Sequence, residues 1–360
     1  MEFFLVLLAP MLWASATLTD KMLVNGSGDD SRPDSLMAVS GFFNIVVGLL
    51  FILPVILWKG QFHEITELPM EHMVPLILNG ATQTTAMLLF LKALSDEEVS
   101  RVDPWFQTIP VFGMLLAYVL INEKLAWFHI AAIGLIATGG WTIMSKGIAG
   151  RKVVIYMTTS AFLLAVNDVN FAAHGRQLDT MPAVLLDMAG KALFGLILLV
   201  PSKEIWIKLN PESSSERIKV GPCTNAAFKG FVVGLRTKLG LQTLSEAFFI
   251  SADFFFDRAK LYAPVAIVQG IACTQPMFTI LGASLITIIV LAFRKKDRLS
   301  VSDKHPSLWS LRQRVTFTFW SLVAKISSHW APEKQGITFW KKFGGIALIV
   351  IGGAIIAVTQ

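Results

Sequence analysis

The chain has 360 residues, of which 54% are hydrophobic and only 16% are charged, whereas soluble domains carry roughly 25% charged residues. Its formal net charge is +6, but eleven of its Lys and Arg residues fall within 294–342, so the basic balance describes one loop and not a nucleic-acid-binding surface. The two cysteines, Cys223 and Cys273, form neither a CxxC motif nor a Cys/His cluster. These facts exclude a soluble globular domain and a disulfide framework, and they give no support for a metal site, a cofactor or a nucleic-acid partner.

Apolar segments follow one another along nearly the whole chain and predict ten membrane-spanning helices. A hydrocarbon core of roughly 30 Å needs about 18–25 apolar residues in helical form, because lipid offers the backbone no hydrogen-bonding partner. The segments lie at about 3–18, 36–58, 73–91, 102–121, 127–144, 153–173, 182–200, 239–256, 261–293 and 340–358. We therefore predict an all-α, multi-pass integral membrane protein, and we expect it in the plasma membrane.

The two halves of the chain resemble each other in blocks that keep the same order. TAMLLFLKA at 85–93 matches SADFFFDRA at 251–259, which lies 166 residues later, and the second copy carries acids that the first lacks. Further matches join TIPVF at 108–112 to TQPMF at 274–278, Gly48 and Pro54 to Gly195 and Pro201 at an offset of 147, and Trp127 to Trp340 at an offset of 213. Three blocks in one order predict a duplication.

Each copy contains five spans, and an odd number makes the second copy enter the membrane from the opposite side. The sequence thus predicts two inverted five-helix repeats, 1–146 and 151–360, with an insert at about 294–338 in the second. Helix-breaking residues mark the fourth span of each copy: Pro104 and Pro110 in the first, Gly270 and Pro276 in the second. We expect these four residues to line a cavity, although prolines and glycines are also common in membrane helices generally.

The stretch ALSDEEVSRVDPWFQTIPVFGMLLAYVLINEKLAWFHIAAIGLIATGG at 93–140 resembles the second half of an EamA-type repeat of the drug/metabolite transporter superfamily. The Pro-Val-Phe core, the Glu-Lys at the end of the fourth span and the glycines of the fifth carry the resemblance. It implies a ten-helix carrier of small metabolites with a central cavity and cytoplasmic termini, and it does not name a substrate. The second copy departs from the pattern, since no acid matching Glu123 is evident there.

The insert has apolar residues at helical spacing with Arg312, Arg314 and Lys325 on other faces. This pattern is typical of an amphipathic helix, lying either on an anionic membrane surface or against the protein. Cytoplasmic termini would place this basic loop outside, whereas cytoplasmic loops are usually the ones rich in Lys and Arg. The orientation therefore stays open at the sequence level.

Four polar residues of the eighth span, Gln242, Glu246, Asp253 and Asp257, recur at steps of four, seven and four and form one stripe of a helix. An ionised side chain at mid-bilayer costs at least ~2.5–3.5 kcal/mol, so such residues face protein or a wet cavity, or are protonated. We expect Glu246 to lie deepest and Asp257 to lie at the water interface, paired with a neighbouring cation.

Other polar residues inside predicted spans join these candidates. Asp187 and Lys191 lie one turn apart and are expected to form an ion pair. The remaining candidates either bind substrate or hold helices together by hydrogen bonds, and they are Asn167, Asp168, Gln107, Gln269 and Gln275.

The sequence thus favours a secondary active transporter of a small polar metabolite, an amino acid, an amine or a related compound, working by alternating access. In this hypothesis Glu246, helped by Asp168 or Asp253, binds a proton or the cationic group of the substrate. The alternative is that the acids pair with Arg236, Lys238 or Lys191 and only join helices. Signature motifs of intramembrane proteases are absent from the sequence, so we do not expect an enzyme. The main alternative function is that of a lipid flippase on the same scaffold. We expect the protein to be a monomer or a homodimer in contact with membrane lipids.

Overall fold

The computed structural model describes residues 2–24, 33–97, 99–124, 126–143, 150–199, 238–275 and 277–279, together with a few residues between 344 and 355. Every regular element in these ranges is helical. Pro276, the insert at 294–338, Arg236 and most of the predicted tenth span lie outside the described residues, so the expectations placed on them stay predictions.

The first half runs from α1 to α8. Helix α2 passes through a π-helical turn, Gly48–Ile52, directly into α3, and a 3-10 segment, Asp103–Thr108, leads into α7. The helices are α1 (Glu2–Val24), α2 (Pro33–Val47), α3 (Leu53–Trp58), α4 (Phe62–Thr66), α5 (Met70–Asp96), α6 (Val99–Val102), α7 (Ile109–Ile121) and α8 (Trp127–Ile143).

The described part of the second half has four helices: α9 (Arg151–Gly175), α10 (Thr180–Leu199), α11 (Lys238–Tyr262) and α12 (Val265–Ala272). Five stretches of the described chain are long and apolar enough to cross a membrane: Pro33–Trp58, Met70–Asp96, Asp103–Ile121, Arg151–Gly175 and Thr180–Leu198. The prediction of an all-helical integral membrane protein is confirmed at this level.

Helix α1 is longer than its apolar segment indicates. Asp20 lies beyond the apolar segment predicted at about 3–18, but α1 continues to Val24, and Asp20 accepts a hydrogen bond from Ser245 of α11. Lys21 donates to the carbonyl oxygens of Leu94 and Glu97, at 2.6 and 2.8 Å. The helix can extend through polar residues because neighbouring helices satisfy their side chains.

Glycines set how closely the helices cross. A Cβ on Gly80 of α5 would collide with the backbone of Asp187 and Lys191 on α10, and Gly41 of α2 meets Gly195 of α10 in the same manner. Small residues let helix backbones approach closely in membranes, where packing contacts replace the hydrophobic effect as the driving force. The crossing of α5 and α10 places an ion-paired segment of α10 in the middle of the bundle.

Two helix breaks face each other across the bundle. The first is the 3-10 segment before α7, and the second is the turn Cys273–Thr274 after α12. The Gln107 side chain donates to the Cys273 carbonyl oxygen at 2.6 Å, and the Cys273 thiol lies 3.5 Å from the Phe106 carbonyl oxygen. Gln107 and Cys273 are 166 residues apart, the offset of the sequence repeat.

Candidate functional site

A cavity of about 80 Å³ lies between α1, α5, α9, α11 and α12, and we call it the central cavity. Its ionisable lining residues are four aspartates and one lysine: Asp20, Asp168, Asp253, Asp257 and Lys260. Aromatic and amide side chains complete much of the wall, including Trp13, Gln83, Phe90, Asn167, Phe256, Gln269 and Gln275. The cavity has room for a few water molecules or a small polar group.

Lys260 joins two aspartates on the wall of this cavity. Its Nζ lies 2.9 Å from Asp168 Oδ1 and 2.6 Å from Asp257 Oδ1. The same ammonium lies 4.7 and 4.8 Å from the ring centres of Phe171 and Phe256, within the range of a cation–π interaction. Lys260 is almost fully buried, and it is held there by opposite charge and by aromatic faces.

Lys191 of α10 joins a second pair of aspartates. Its Nζ lies 2.8 Å from Asp187 Oδ2, in the predicted i,i+4 pair, and 2.7 Å from Asp253 Oδ2 on α11. Asp253 also accepts hydrogen bonds from Gln83 at 2.7 Å and from the indole N–H of Trp13 at 3.0 Å. Asp253 therefore connects α1, α5, α10 and α11 through one carboxylate.

The buried carboxyl groups outnumber the buried lysines in the described part of the chain. Lys191 and Lys260 form ion pairs with four aspartates. Two further buried acids, Asp103 and Glu246, form hydrogen bonds with other partners. Ionised groups in a low dielectric require compensation by an opposite charge. In the described part of the chain, the buried acids of this region thus exceed the ammonium groups that lie close enough to compensate them.

Glu246 lies outside the lining of the central cavity. Its Oε2 accepts from the Ser40 hydroxyl at 2.8 Å, and its Oε1 accepts from the Gln242 amide at 2.8 Å. Both partners are neutral. Its neighbour Ser245 bonds to Asp20, which does line the cavity, so Glu246 stands just behind the cavity wall.

A second cavity, of about 210 Å³, lies on the other side of α11, between that helix, α2 and α10, and we call it the side cavity. Asp253 and Asp257 line both cavities, and Lys191 lines the side cavity. Six apolar residues make up most of its remaining wall: Ile52, Val184, Met188, Ile250, Phe254 and Phe255. The two cavities are thus separated by ion-paired carboxylates.

The other predicted site residues divide between the cavity and the helix contacts. Gln269 and Gln275 line the central cavity, where Gln269 donates to Asp168 Oδ2 at 2.9 Å and Gln275 donates to Asp103 Oδ1 at 3.1 Å. Asn167 also lines the cavity and donates to the Asn79 carbonyl oxygen at 3.0 Å.

Gln107 does not line either cavity, since its side chain joins the two helix breaks. Pro104 lies buried within the 3-10 segment, Pro110 lies at the start of α7, and Gly270 is buried in α12. These residues shape the broken helices beside the central cavity, and their side chains are not part of its wall.

The expectation that Asp257 lies at the water interface is wrong. Its side chain is buried, because Lys260 lies one turn further along α11 and turns inward with it. Glu246 and Asp253 lie on either side of the middle of α11, so Glu246 is not clearly the deeper of the two.

The sequence analysis missed several residues of the site. The sequence patterns did not single out Lys260, Asp20, Trp13 or Gln83, which all line the central cavity. The i,i+3 spacing of Asp257 and Lys260 was the available signal for one of them. Among the described residues, no three His, Cys, Asp or Glu side chains come close enough to hold a metal ion.

Residues of the central cavity recur in pairs at the offsets of the sequence repeat. Five pairs of lining residues are 166 apart, and two more are 147 apart. They are Gln83 with Phe249, Met87 with Asp253, Phe90 with Phe256, Phe106 with Ala272, Ile109 with Gln275, Thr17 with Leu164 and Asp20 with Asn167.

Comparison with known proteins gives a family match for the first part of the chain. Residues 1–145 match the model of the EamA-like transporter family. Thirteen chains of solved structures match the fold; one of them, described as "Crystal structure of protein", has a TM-score of 0.55 and 14% sequence identity over 99% of this chain and 96% of its own. No curated protein matches the chain. The matched residues 1–145 contain the 93–140 motif, so the resemblance read from that motif is confirmed: this part of the chain is similar to the EamA-like transporter family.

Proposed function

We propose that the chain is a secondary active transporter that moves a small, positively charged or zwitterionic metabolite across a membrane by alternating access, coupled to protons. The acidic excess of the central cavity carries this proposal. Four aspartates and one lysine line the cavity, and a substrate ammonium or a proton would offset the negative charge that Lys260 and Lys191 together leave uncompensated.

The packing of the helices supports alternating access. In an inverted duplication the first span corresponds to the sixth and the third to the eighth. Helices α1, α5, α9 and α11 contain the first, third, sixth and eighth predicted spans. The first packs along the eighth and the third packs along the sixth, so these two contacts would be equivalent in an inverted duplication. A cavity at the interface of two such halves is the usual site of a carrier, because the halves can exchange conformations around it.

The paired lining residues support the same arrangement. If two halves are related by a twofold axis, a cavity lined by equivalent residues of both halves surrounds that axis. The helix breaks at Gln107 and Cys273 meet close to that axis, and broken helices bring polar backbone to the middle of the membrane in carriers of this kind.

Glu246 fits the role of the proton site. Because its two partners are neutral donors, it gains or loses a proton without breaking an ion pair. Ser245, the residue before Glu246 in α11, donates a hydrogen bond to Asp20 on the cavity wall. A change of charge at Glu246 would therefore affect Asp20, which the substrate would touch. The aspartates bound to lysines are better placed to orient a substrate ammonium.

The test is uptake of a pooled metabolite library by vesicles that contain the purified chain, read by mass spectrometry with and without an imposed pH gradient. We expect amines or amino acids to accumulate and to follow the gradient. Accumulation of anions alone, or of no soluble compound, would contradict the proposal, and the latter result would favour lipid transport.

A pair of variants controls for the charge. Asp253→Asn removes a carboxylate of the cavity while keeping its shape, and Asp34→Asn removes a half-exposed carboxylate that pairs with Lys92 at 3.3 Å. We expect the first substitution to reduce uptake at least tenfold and the second to leave it unchanged. Equal effects would mean that the cavity charge is not what selects the substrate.

A further inference from the structure

We propose that the side cavity binds the apolar tail of an organic ammonium ion whose charged head lies against Asp253 and Asp257. The ligand class is an amphipathic primary amine. This inference deepens the proposed function, on which it rests for the claim that the bound amine is cargo, but the binding itself is a separate property of the side cavity.

The size and the walls of the side cavity fit an alkyl or aryl group. Six of its lining residues are apolar, and its volume is about 210 Å³. An apolar cavity of about 150 Å³ inside a protein is known to stay dry and to bind benzene. The side cavity is larger than that, so a chain of several methylenes or a single ring has room in it.

The charge at the inner end of the side cavity fits an ammonium head. Asp253 and Asp257 form the wall there, and Lys191 and Lys260 each divide their charge between two aspartates. A carboxylate has about four acceptor positions, and Asp257 uses Oδ1 for Lys260, which leaves capacity for another donor. A carboxylate head would instead meet two acids in this wall, and the one lysine there is already paired with Asp253.

The position of the side cavity gives a route of entry from the bilayer. Ser251 is exposed and lines this cavity, and it lies beside the midpoint of α11. Ile250 and Phe254, one residue before it and three after it, are only partly buried. The sequence predicts that α11 contains a membrane span at 239–256, and an opening near the middle of such a span faces acyl chains, which favour an amphiphile over a fully polar solute.

The shared wall links the side cavity to the central cavity. Since both aspartates line both cavities, an ammonium bound to Asp253 or Asp257 from the side cavity is already in contact with a residue of the central cavity. Movement of these side chains, without separation of α2 from α11, would pass the head group from one cavity to the other.

The experiment measures equilibrium binding of n-alkylammonium ions, from methyl to hexyl, to the full chain in lipid nanodiscs by calorimetry, with empty nanodiscs as the blank. We expect affinity to rise about fourfold for each added methylene, because burial of a methylene contributes roughly 0.8 kcal/mol. The n-alcohols of equal length are expected to bind at least tenfold more weakly, since they lack the charge that the aspartates require.

Two variants that fill the side cavity make the assignment specific. Val184→Phe and Ile250→Phe place a ring in this cavity, and neither residue lines the central cavity. Both are expected to remove the dependence on chain length beyond ethylammonium and to leave methylammonium binding within twofold of the wild type. Ile250 is partly exposed, so its variant tests the idea even where Val184→Phe does not fold.

An affinity that does not change with chain length, or an unchanged series in Ile250→Phe, would overturn the inference and leave the proposed transport of small cations standing. Chain-length-dependent binding that Ile250→Phe removes would support the inference. If vesicles nevertheless accumulated no cationic compound, the proposed function would fail while the amine site remained.

Discussion

Helices α5 and α11, which carry the sequence repeat TAMLLFLKA and SADFFFDRA, both line the central cavity, yet their side chains there differ in charge. At positions 166 residues apart α5 contributes Met87 where α11 contributes Asp253, and both side chains line the central cavity. The polar residues of α5 near this site, Asn79 and Gln83, are neutral donors to the aspartates of α10 and α11. At this contact α11 therefore supplies the charge, and α5 supplies the neutral donors that hold it in place.

The difference explains why the acids of SADFFFDRA have no counterpart in TAMLLFLKA. A second acid in the position of Met87 would add to a site that already has more carboxyls than lysines. Lys191 reaches Asp253 because α10 crosses α5 at Gly80, close to the ion pair. The charged site therefore depends on one crossing, between α5 of the first half and α10 of the second.

The largest expected effect comes from breaking this asymmetry. Asp253→Leu leaves Lys191 with one partner and leaves the Trp13 and Gln83 donors without theirs, and breaking a buried pair costs about 3–5 kcal/mol. Met87→Leu, at the equivalent place in the other half, nearly conserves volume and costs below about 1.5 kcal/mol. Thermal unfolding in detergent should separate the two midpoints by several degrees, since a chain of this length shifts by roughly 1–2 °C per kcal/mol, and equal shifts would refute the asymmetry.

The next effect concerns the crossing that positions Lys191. Gly80→Ala brings a methyl group into the backbone of α10, and overpacking of this kind costs typically about 1–3 kcal/mol. Gly134→Ala in α8 is the matched control, since nothing lies within 4 Å of its added Cβ and the change stabilises an open helical position by roughly 0.5–1 kcal/mol. We expect the unfolding midpoint to fall for Gly80→Ala and to rise for Gly134→Ala. An unchanged midpoint for Gly80→Ala would mean that close packing at this crossing does not position Lys191.

The smallest effect concerns a contact at the end of α7. Glu123 accepts from Arg176 at 3.0 Å and from the Val265 backbone N–H at 2.8 Å, so it ties α7 to the start of α12. Glu123→Gln keeps one acceptor oxygen, and we expect a loss of about 1 kcal/mol because the pair is partly exposed. The loss should shrink as salt is added. A loss independent of salt would assign the effect to the backbone hydrogen bond alone.

The sequence was sufficient for the elements that depend on composition and periodicity. Apolar segments predicted the helices, the 93–140 motif predicted the family of residues 1–145, and the i,i+4 spacing predicted the pair of Asp187 and Lys191. Each of these signals lies within one stretch of chain. The duplication predicted from the three blocks stays a prediction, supported by the paired residues of the cavity wall.

The contacts between distant segments could not be read from the sequence. Asp253 is held by Trp13, Gln83 and Lys191, which lie 240, 170 and 62 residues away. The stripe on α11 correctly grouped the acids, but it could not indicate that Asp253 faces the cavity while Glu246 faces Ser40 of α2. Helix crossing decides which member of a stripe meets a cavity, and that depends on all the neighbouring helices.

The measurement that tests the account most directly is pH-gradient-driven uptake of the transported cation by Glu246→Gln vesicles compared with wild-type vesicles. Gln keeps one acceptor oxygen, for Ser40, and its N–H can donate to the amide oxygen of Gln242 once that amide turns over, so the fold should survive while the titrating group is lost. The account predicts that the variant still exchanges substrate across the membrane but no longer accumulates it against its gradient when a pH gradient is imposed. Uptake with the wild-type rate and the wild-type dependence on pH would contradict it.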